Sequence, residues 1–237
     1  MCSSDLLDLS NNSLSGELPW SLQNCTMLRF LYLEKNKLSG KIPTWIGEKI
    51  SSLIILSLRS NEFHGSMQFH ICLLVHIRYL DLSQNNISGT IPHCLNNLAA
   101  MAHKVSDFTM SDNFFIWNGT VFTISGLDVD YASESNNIID GVNSLDIIVG
   151  WKGNVYEYGK NFGEMRSIDL ANNKLTGKIP DEICSLIELK TLNLSGNMLT
   201  GMIPQNIGQL EQLESLDLSR NQLFRSEEHT SELQSPC

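Results

Sequence analysis

Seven asparagines punctuate this chain at a nearly constant interval: Asn12, Asn36, Asn61, Asn85, Asn173, Asn197 and Asn221. Each closes a Leu-x-Leu-x-x step, with Ile168 in place of the first Leu in one copy. The gaps are 24, 25, 24, 88, 24 and 24 residues. A fixed period of this size describes a stack of small coils, because one such unit cannot bury its own apolar face and needs neighbours to do so.

Each position in the repeat has a mechanical reason. One copy reads Leu80-Asp-Leu82-Ser-Gln-Asn85-Asn-Ile87-Ser-Gly89-Thr-Ile91-Pro92, and another runs from Leu192 to Pro204 in the same pattern. Leu-x-Leu is a short strand whose Leu side chains point inward and whose middle residue points out. The Asn sits where the chain turns, and its amide is able to satisfy backbone groups of neighbouring coils. Gly permits a second tight bend, and Pro fixes φ and ends hydrogen bonding beyond it. Each buried Leu or Ile contributes at most about 1.5–3 kcal/mol. The expectation is a curved α/β repeat solenoid with a parallel β-sheet on its concave face.

The pattern Leu-Ser-Gly-x-Ile-Pro after the Asn resembles the plant-type leucine-rich repeat. Six of the seven copies keep the Gly. The copy at Asn61 departs, with Gly65-Ser-Met67-Gln68 replacing the Ile-Pro step, and the last copy stops before its Gly. The reading is four repeats over residues 6–101, an insertion over 102–163 and three repeats over 164–224, the last cut short. Residues 225–237 resemble the translation of a sequencing-library adapter and are set aside as a non-native tail. No capping segment precedes Leu6, which reads as an N-terminal truncation.

The 88-residue gap is one period plus 64 residues. The insertion, counted through Glu164 at its edge, has nine acids against three lysines, which is −6 of the −8 that remains without the tail. About residues 103–145 read as polar and irregular. The stretch from Leu145 to Tyr158 is apolar and aromatic around Lys152-Gly-Asn, and reads as a hairpin. An insertion of this size followed by a few final repeats resembles the island of plant leucine-rich-repeat receptor-like proteins. In that family a Lys and a Tyr at this spacing recur in the island, and Lys152 and Tyr158 match it. The resemblance implies that the island, with Trp151 and Tyr156 beside those two residues, and the repeats after it engage a ligand and a co-receptor kinase. Lys152 and Tyr158 have a second reading, in which they pin the hairpin to the solenoid by a hydrogen bond or cation–π contact.

Composition limits the alternatives. The net charge of −10 and the lack of a basic stripe exclude nucleic acid as a partner. No run of about 18 apolar residues is present to span a membrane. The resemblance therefore implies attachment to the plasma membrane, extracellular side, through a segment missing from this chain.

Asn-x-Ser/Thr sequons at Asn11, Asn24, Asn86, Asn118 and Asn193 fit a secreted, glycosylated surface. Asn193 is the least convincing, because it lies at a strand centre. Cys72 and Cys94 lie 11 and 9 residues after their repeat asparagines on adjacent coils, and could face each other within bridging distance. Cys25 and Cys184 read as small buried hydrophobes. The His70, Cys72, His76, His93 and Cys94 set looks superficially like a zinc cluster, but its spacing follows the repeat's own slots, and no metal is expected. No nucleophile elbow or phosphate loop appears, so no catalytic residue and no cofactor is assigned. Asp8, Asp81, Asp169 and Asp217, at strand centres, read as exposed, solvated carboxylates. On the concave face Tyr32, Arg59 and Arg220 join the island residues as binding candidates, alongside Glu34, Lys35, Ser57, Gln84 and Asn172.

The functional expectation is a ligand-recognition fragment of a plant receptor-like protein in defence or peptide signalling. Its partners would be an extracellular peptide, protein or glycan and a co-receptor kinase. Two alternatives are a receptor-kinase ectodomain and a secreted inhibitor of cell-wall-degrading enzymes; the latter are continuous solenoids, and the insertion counts against them.

Overall fold

In a computed structural model the structure describes residues 4–103 and 165–224, together with the backbone of five short strands between them. The two described stretches form one leucine-rich-repeat solenoid of seven coils. Each coil opens with a three-residue strand, and these strands (Leu6–Asp8, Phe30–Tyr32, Ile55–Ser57, Tyr79–Asp81, Ser167–Asp169, Thr191–Asn193 and Ser215–Asp217) make one parallel sheet on the concave face. The inward residues Leu31, Leu56, Leu80, Ile168 and Leu192 are wholly buried, as are Leu58, Leu82 and Leu194 two positions on. They join the Ile of the Ile-Pro step and the Leu of the return turn in a single core.

Beyond the Asn turn a second parallel sheet of seven short strands runs along the stack, from Ser15–Gly16 to Gln222–Leu223. The Leu-Ser-Gly segment therefore forms a strand ladder of its own, which the sequence reading did not assign. A Pro-led 3-10 turn such as His93–Asn97 then returns the chain. The 25-residue coil uses an α-helical turn, Trp45–Glu48, at the same place. The α geometry rises less per residue and so takes up the additional one. The coil lacking Ile-Pro keeps its shape: Gln68 is extended (φ −95°, ψ 166°), and Met67 fills the Ile slot at 6% exposure.

The repeat asparagines line up as a ladder. Asn173 is typical. Its Oδ1 accepts from the Ile87 N–H of the preceding coil at 3.0 Å. Its Nδ2 donates to Leu82 O at 2.9 Å across the junction and to Leu170 O and Ala171 O within its own coil. The same set recurs at Asn36, Asn61, Asn85, Asn197 and Asn221. The residue before the ladder Asn adopts left-handed φ in every coil: Asn11, Lys35, Ser60, Gln84, Asn172 and Arg220 at 53–56°, and Gly196 at 67°. This turn aims the amide into the stack.

The insertion does not interrupt the stack. Ser167–Asp169 pairs in register with Tyr79–Asp81, and Lys174–Thr176 with Ser88–Thr90. Exit and re-entry are adjacent. The chain leaves through the helical turn Ala99–Ala102, Arg166 Nε donates to Ala100 O at 2.6 Å, and the Glu188 N–H donates to Met101 O at 2.9 Å.

Within the insertion, Ile147–Trp151 and Asn154–Tyr158 pair as an antiparallel hairpin. The expectation of an irregular stretch over 103–145 is corrected in part. Phe108–Ser111, Phe114–Trp117 and Thr120–Thr123 form a three-stranded antiparallel sheet. The signal was present: Asn118-Gly119 separates two runs of aromatic and β-branched residues, the strongest short-range hairpin cue.

The Sγ atoms of Cys72 and Cys94 are bonded, with their Cα atoms 5.8 Å apart, tying the third coil to the fourth. Cys184 is free and buried. Cys25 departs from its reading as a simple small hydrophobe: it is buried but also disulfide-bonded, with a partner outside the described residues. No described helix is long and apolar enough to cross a membrane.

Replacing Asn173 by Ala orphans the Ile87 N–H and the Leu82 carbonyl in a buried junction. A loss of about 3 kcal/mol or more in urea unfolding is expected, against under about 0.5 kcal/mol for Asn12→Ala on the exposed first coil. Equal effects at the two positions would contradict the ladder's role.

Candidate binding surface

Parallel, in-register pairing arranges the outward side chains in rows that run across the coils. One row holds the last residue of each strand: Asp8, Tyr32, Ser57, Asp81, Asp169, Asn193 and Asp217. The acids and Asn193 share a local device. Each Oδ1 accepts the N–H two residues on, from Ser10, Ser83, Ala171, Ser195 and Ser219, at 2.8–3.1 Å. The recurring Asp is thus an acceptor that organises the turn into the ladder Asn.

The expectation that these aspartates are solvated fails in the middle of the sheet. Asp8 is exposed, but Asp81 is wholly buried. The Tyr79 hydroxyl donates to Asp81 Oδ2 at 3.0 Å and the Ser83 hydroxyl to Oδ1 at 2.6 Å. Asn193 donates to Asp169 Oδ2 at 3.1 Å. Burial raises the pKa of the Asp81 carboxyl. Burial, then the neighbouring Asp81 charge, pushes Asp169 up to about 7. Glu34, which accepts from the Ser57 hydroxyl at 2.9 Å, is raised by burial as well.

Tyr32 and Arg59 both lie beside Glu34. Tyr32 is buried and its hydroxyl has no hydrogen-bond partner; burial, then Asp8 and Glu34, raises the phenol. Arg59 is half-buried, its Nε is likewise unbonded, and its charge acts on Glu34, Asp81 and Asp169. Arg220 is exposed at the far end of the sheet, away from that group. Trp151, Tyr156 and Tyr158 lie on the paired hairpin strands. Their side chains and the whole of Lys152 fall outside the described residues, as does Asn118.

A neighbouring row escaped the sequence reading. Leu6, Phe30, Ile55 and Tyr79 precede the insertion, and Ser167, Thr191 and Ser215 follow it, at matching positions. Phe30, Ile55 and Tyr79 join Tyr32, Ile54 and Met165 in an apolar cluster separate from the solenoid core. The signal was the residue just before each Leu-x-Leu, which switches from apolar to hydroxyl across the insertion.

Among the sequons, Asn11, Asn24 and Asn86 are exposed. Asn193 is half-buried, and its amide is engaged with Asp169 and Ser195. Of the residues weighed for zinc, Cys72 and Cys94 are bonded to each other, and His93 pairs with Glu182 at 3.0 Å. His70 is buried with both ring nitrogens unbonded.

Models of the Leucine Rich Repeat match residues 5–25, 27–48, 76–98 and 212–235, and a second leucine-rich-repeat model matches 163–223. Receptor-like protein EIX2 of Solanum lycopersicum is 41% identical over 167 residues, 70% of this chain and 15% of that protein. Receptor-like protein 46 of Arabidopsis thaliana is 38% identical over 185 residues, 78% of this chain and 22% of that protein. The chain thus spans a fifth or less of the length of the first and a little over a fifth of the second. Among solved structures, the Arabidopsis receptor kinase HAESA, in complex with the peptide hormone IDA and the co-receptor SERK1, superposes with a TM-score of 0.61 at 27% identity. That match covers 92% of this chain and 26% of the other. The plant peptide hormone receptor RGFR1 in complex with RGF2 gives 0.55 at 29%, over 92% of this chain and 28% of the other.

On secretion from a eukaryotic host, peptide mass spectrometry is expected to find glycans at Asn11, Asn24 and Asn86 and an unmodified Asn193. A glycan on Asn193 would mean that its bonds to Asp169 and Ser195 do not persist.

Proposed function

Because the chain belongs to the leucine-rich-repeat family, among the plant receptor-like proteins, we propose that it is part of a cell-surface receptor that recognises an extracellular peptide and recruits a co-receptor kinase. The observation that carries this reading is the concave sheet, whose outward rows bring Tyr32, Glu34, Arg59, Asp81 and Asp169 together on one face of consecutive coils. An extended partner laid across parallel strands meets one side chain from each coil, so affinity accumulates from many small contacts. The signal passes by association, with no covalent chemistry in this chain. HAESA and RGFR1 bind peptide hormones, and HAESA binds the co-receptor SERK1, which supports peptide over glycan as the ligand class. Defence signalling, glycosylation and attachment to the plasma membrane belong to the same proposal.

HAESA is a receptor kinase, so a receptor-kinase ectodomain is the second reading. The insertion and the similarity to receptor-like proteins favour the first.

In this reading the island hairpin contributes Lys152 and Tyr158 to the ligand or co-receptor contact, with Trp151 and Tyr156 as apolar neighbours. Lys152→Ala and Tyr158→Ala in the full-length receptor are each expected to weaken capture of a SERK-type co-receptor ectodomain by about tenfold, or about 1.4 kcal/mol. The melting temperature should stay unchanged. Unaltered capture by both variants would reject the contact role. Unaltered capture with a lowered melting temperature would assign the two residues to pinning the hairpin.

A further inference from the structure

We propose that Asp81 and Asp169 form a proton-operated latch between the two coils that flank the insertion: a proton bound to the pair holds these coils together, and its loss loosens their junction. The pairing of Asp81 with Asp169 belongs to the solenoid itself and does not depend on which ligand the protein takes.

In-register pairing makes Asp81 and Asp169 direct neighbours across the junction between the fourth and fifth coils. Among the six junctions of this sheet no other sets acid against acid. The corresponding pairs elsewhere are Asp8 with Tyr32, Tyr32 with Ser57, Ser57 with Asp81, Asp169 with Asn193 and Asn193 with Asp217. This is also the junction where the chain departs into the insertion, while the disulfide secures a different pair of coils, the third and fourth.

Among the described residues no counter-charge is bonded to either carboxylate. The donors are neutral: the Ser83 N–H and hydroxyl and the Tyr79 hydroxyl on Asp81, and the Ala171 N–H and the Asn193 amide on Asp169. From the third coil Arg59 acts on both at a distance but makes no hydrogen bond or ion pair with them. From the second coil Glu34 adds a third carboxylate nearby. Two carboxylates at close quarters, one of them wholly buried, do not both ionise at the pH where free ones would. The rise of Asp169 to about 7 agrees with that geometry, its causes being burial first and the Asp81 charge second.

The direction follows from proton counting. Below its folded value Asp169 keeps a proton that the unfolded chain has already released, so folding is favoured in acid and weakens as pH rises towards about 7. His70 and His76 act in the opposite sense, since burial lowers both and their contribution is lost as pH falls. The latch is therefore visible only as a difference between wild type and a variant that fixes the protonated form.

The test is urea unfolding of the complete chain against pH, wild type beside Asp169→Asn, with hydrogen exchange to locate the change. Between about pH 5 and pH 7 the wild-type folding constant is expected to fall by up to about a hundredfold relative to Asp169→Asn, at most tenfold per pH unit. Exchange, corrected for its intrinsic pH dependence, should quicken at Tyr79–Asp81 and Ser167–Asp169 but not at Phe30–Tyr32. Parallel pH profiles for the two proteins would overturn the proposal. If Asp169→Asn does not fold, the carbon-13 carboxyl resonances of the wild-type aspartates decide: a protonated Asp169 at about pH 6 sustains the latch, and full ionisation there overturns it.

Discussion

The asparagine amide is the interaction on which the solenoid depends. A coil of some two dozen residues turns sharply twice and leaves backbone N–H and carbonyl groups inside, where water cannot reach them. One Asn side chain answers both needs, since its oxygen accepts from the preceding coil while its nitrogen donates to carbonyls of both coils. No other side chain of that size presents an acceptor and a paired donor at this geometry. The leucines supply the larger share of favourable free energy, but leucines alone tolerate slippage. The amide fixes which coil sits on which, and so fixes the register on which every outward row of the concave face depends.

That register is preserved where the chain leaves for its insertion. The fifth coil meets the fourth as any coil meets its neighbour, with the same strand pairing and the same Asn bonds. The concave face nevertheless changes character at this junction. Before it, the row beginning at Leu6 is aliphatic or aromatic and contributes to a second apolar cluster; after it, the same row is Ser or Thr. Two chemically different rows thus share one continuous sheet, with neighbouring carboxylates where they meet.

Much of this was legible in the residues. The interval between asparagines placed every coil, the Leu-x-Leu step placed the inward side chains, and positions on adjacent coils placed Cys72 opposite Cys94. What escaped the reading has a common cause: spacing says where in a coil a residue lies, not what covers it. Asp81 and Asp8 occupy the same slot, yet one is wholly buried and the other exposed. Burial, and with it the charge state of the Asp81–Asp169 pair, is set by neighbours remote in sequence. Cys25 is the core residue its position implies, but spacing gave no sign of its disulfide, whose partner lies outside the described residues. The sheet at 108–123 was missed differently, because the Asn-Gly turn signal lay within a segment judged by its overall polarity.

The adjacency of Ala100 and Arg166 has a wider consequence. Chain ends that emerge side by side from an intact stack can be joined by segments of very different length at little added cost, since closure entropy rises only slowly with loop length. Such a socket lets the grafted segment vary in length while the register of the supporting coils is kept.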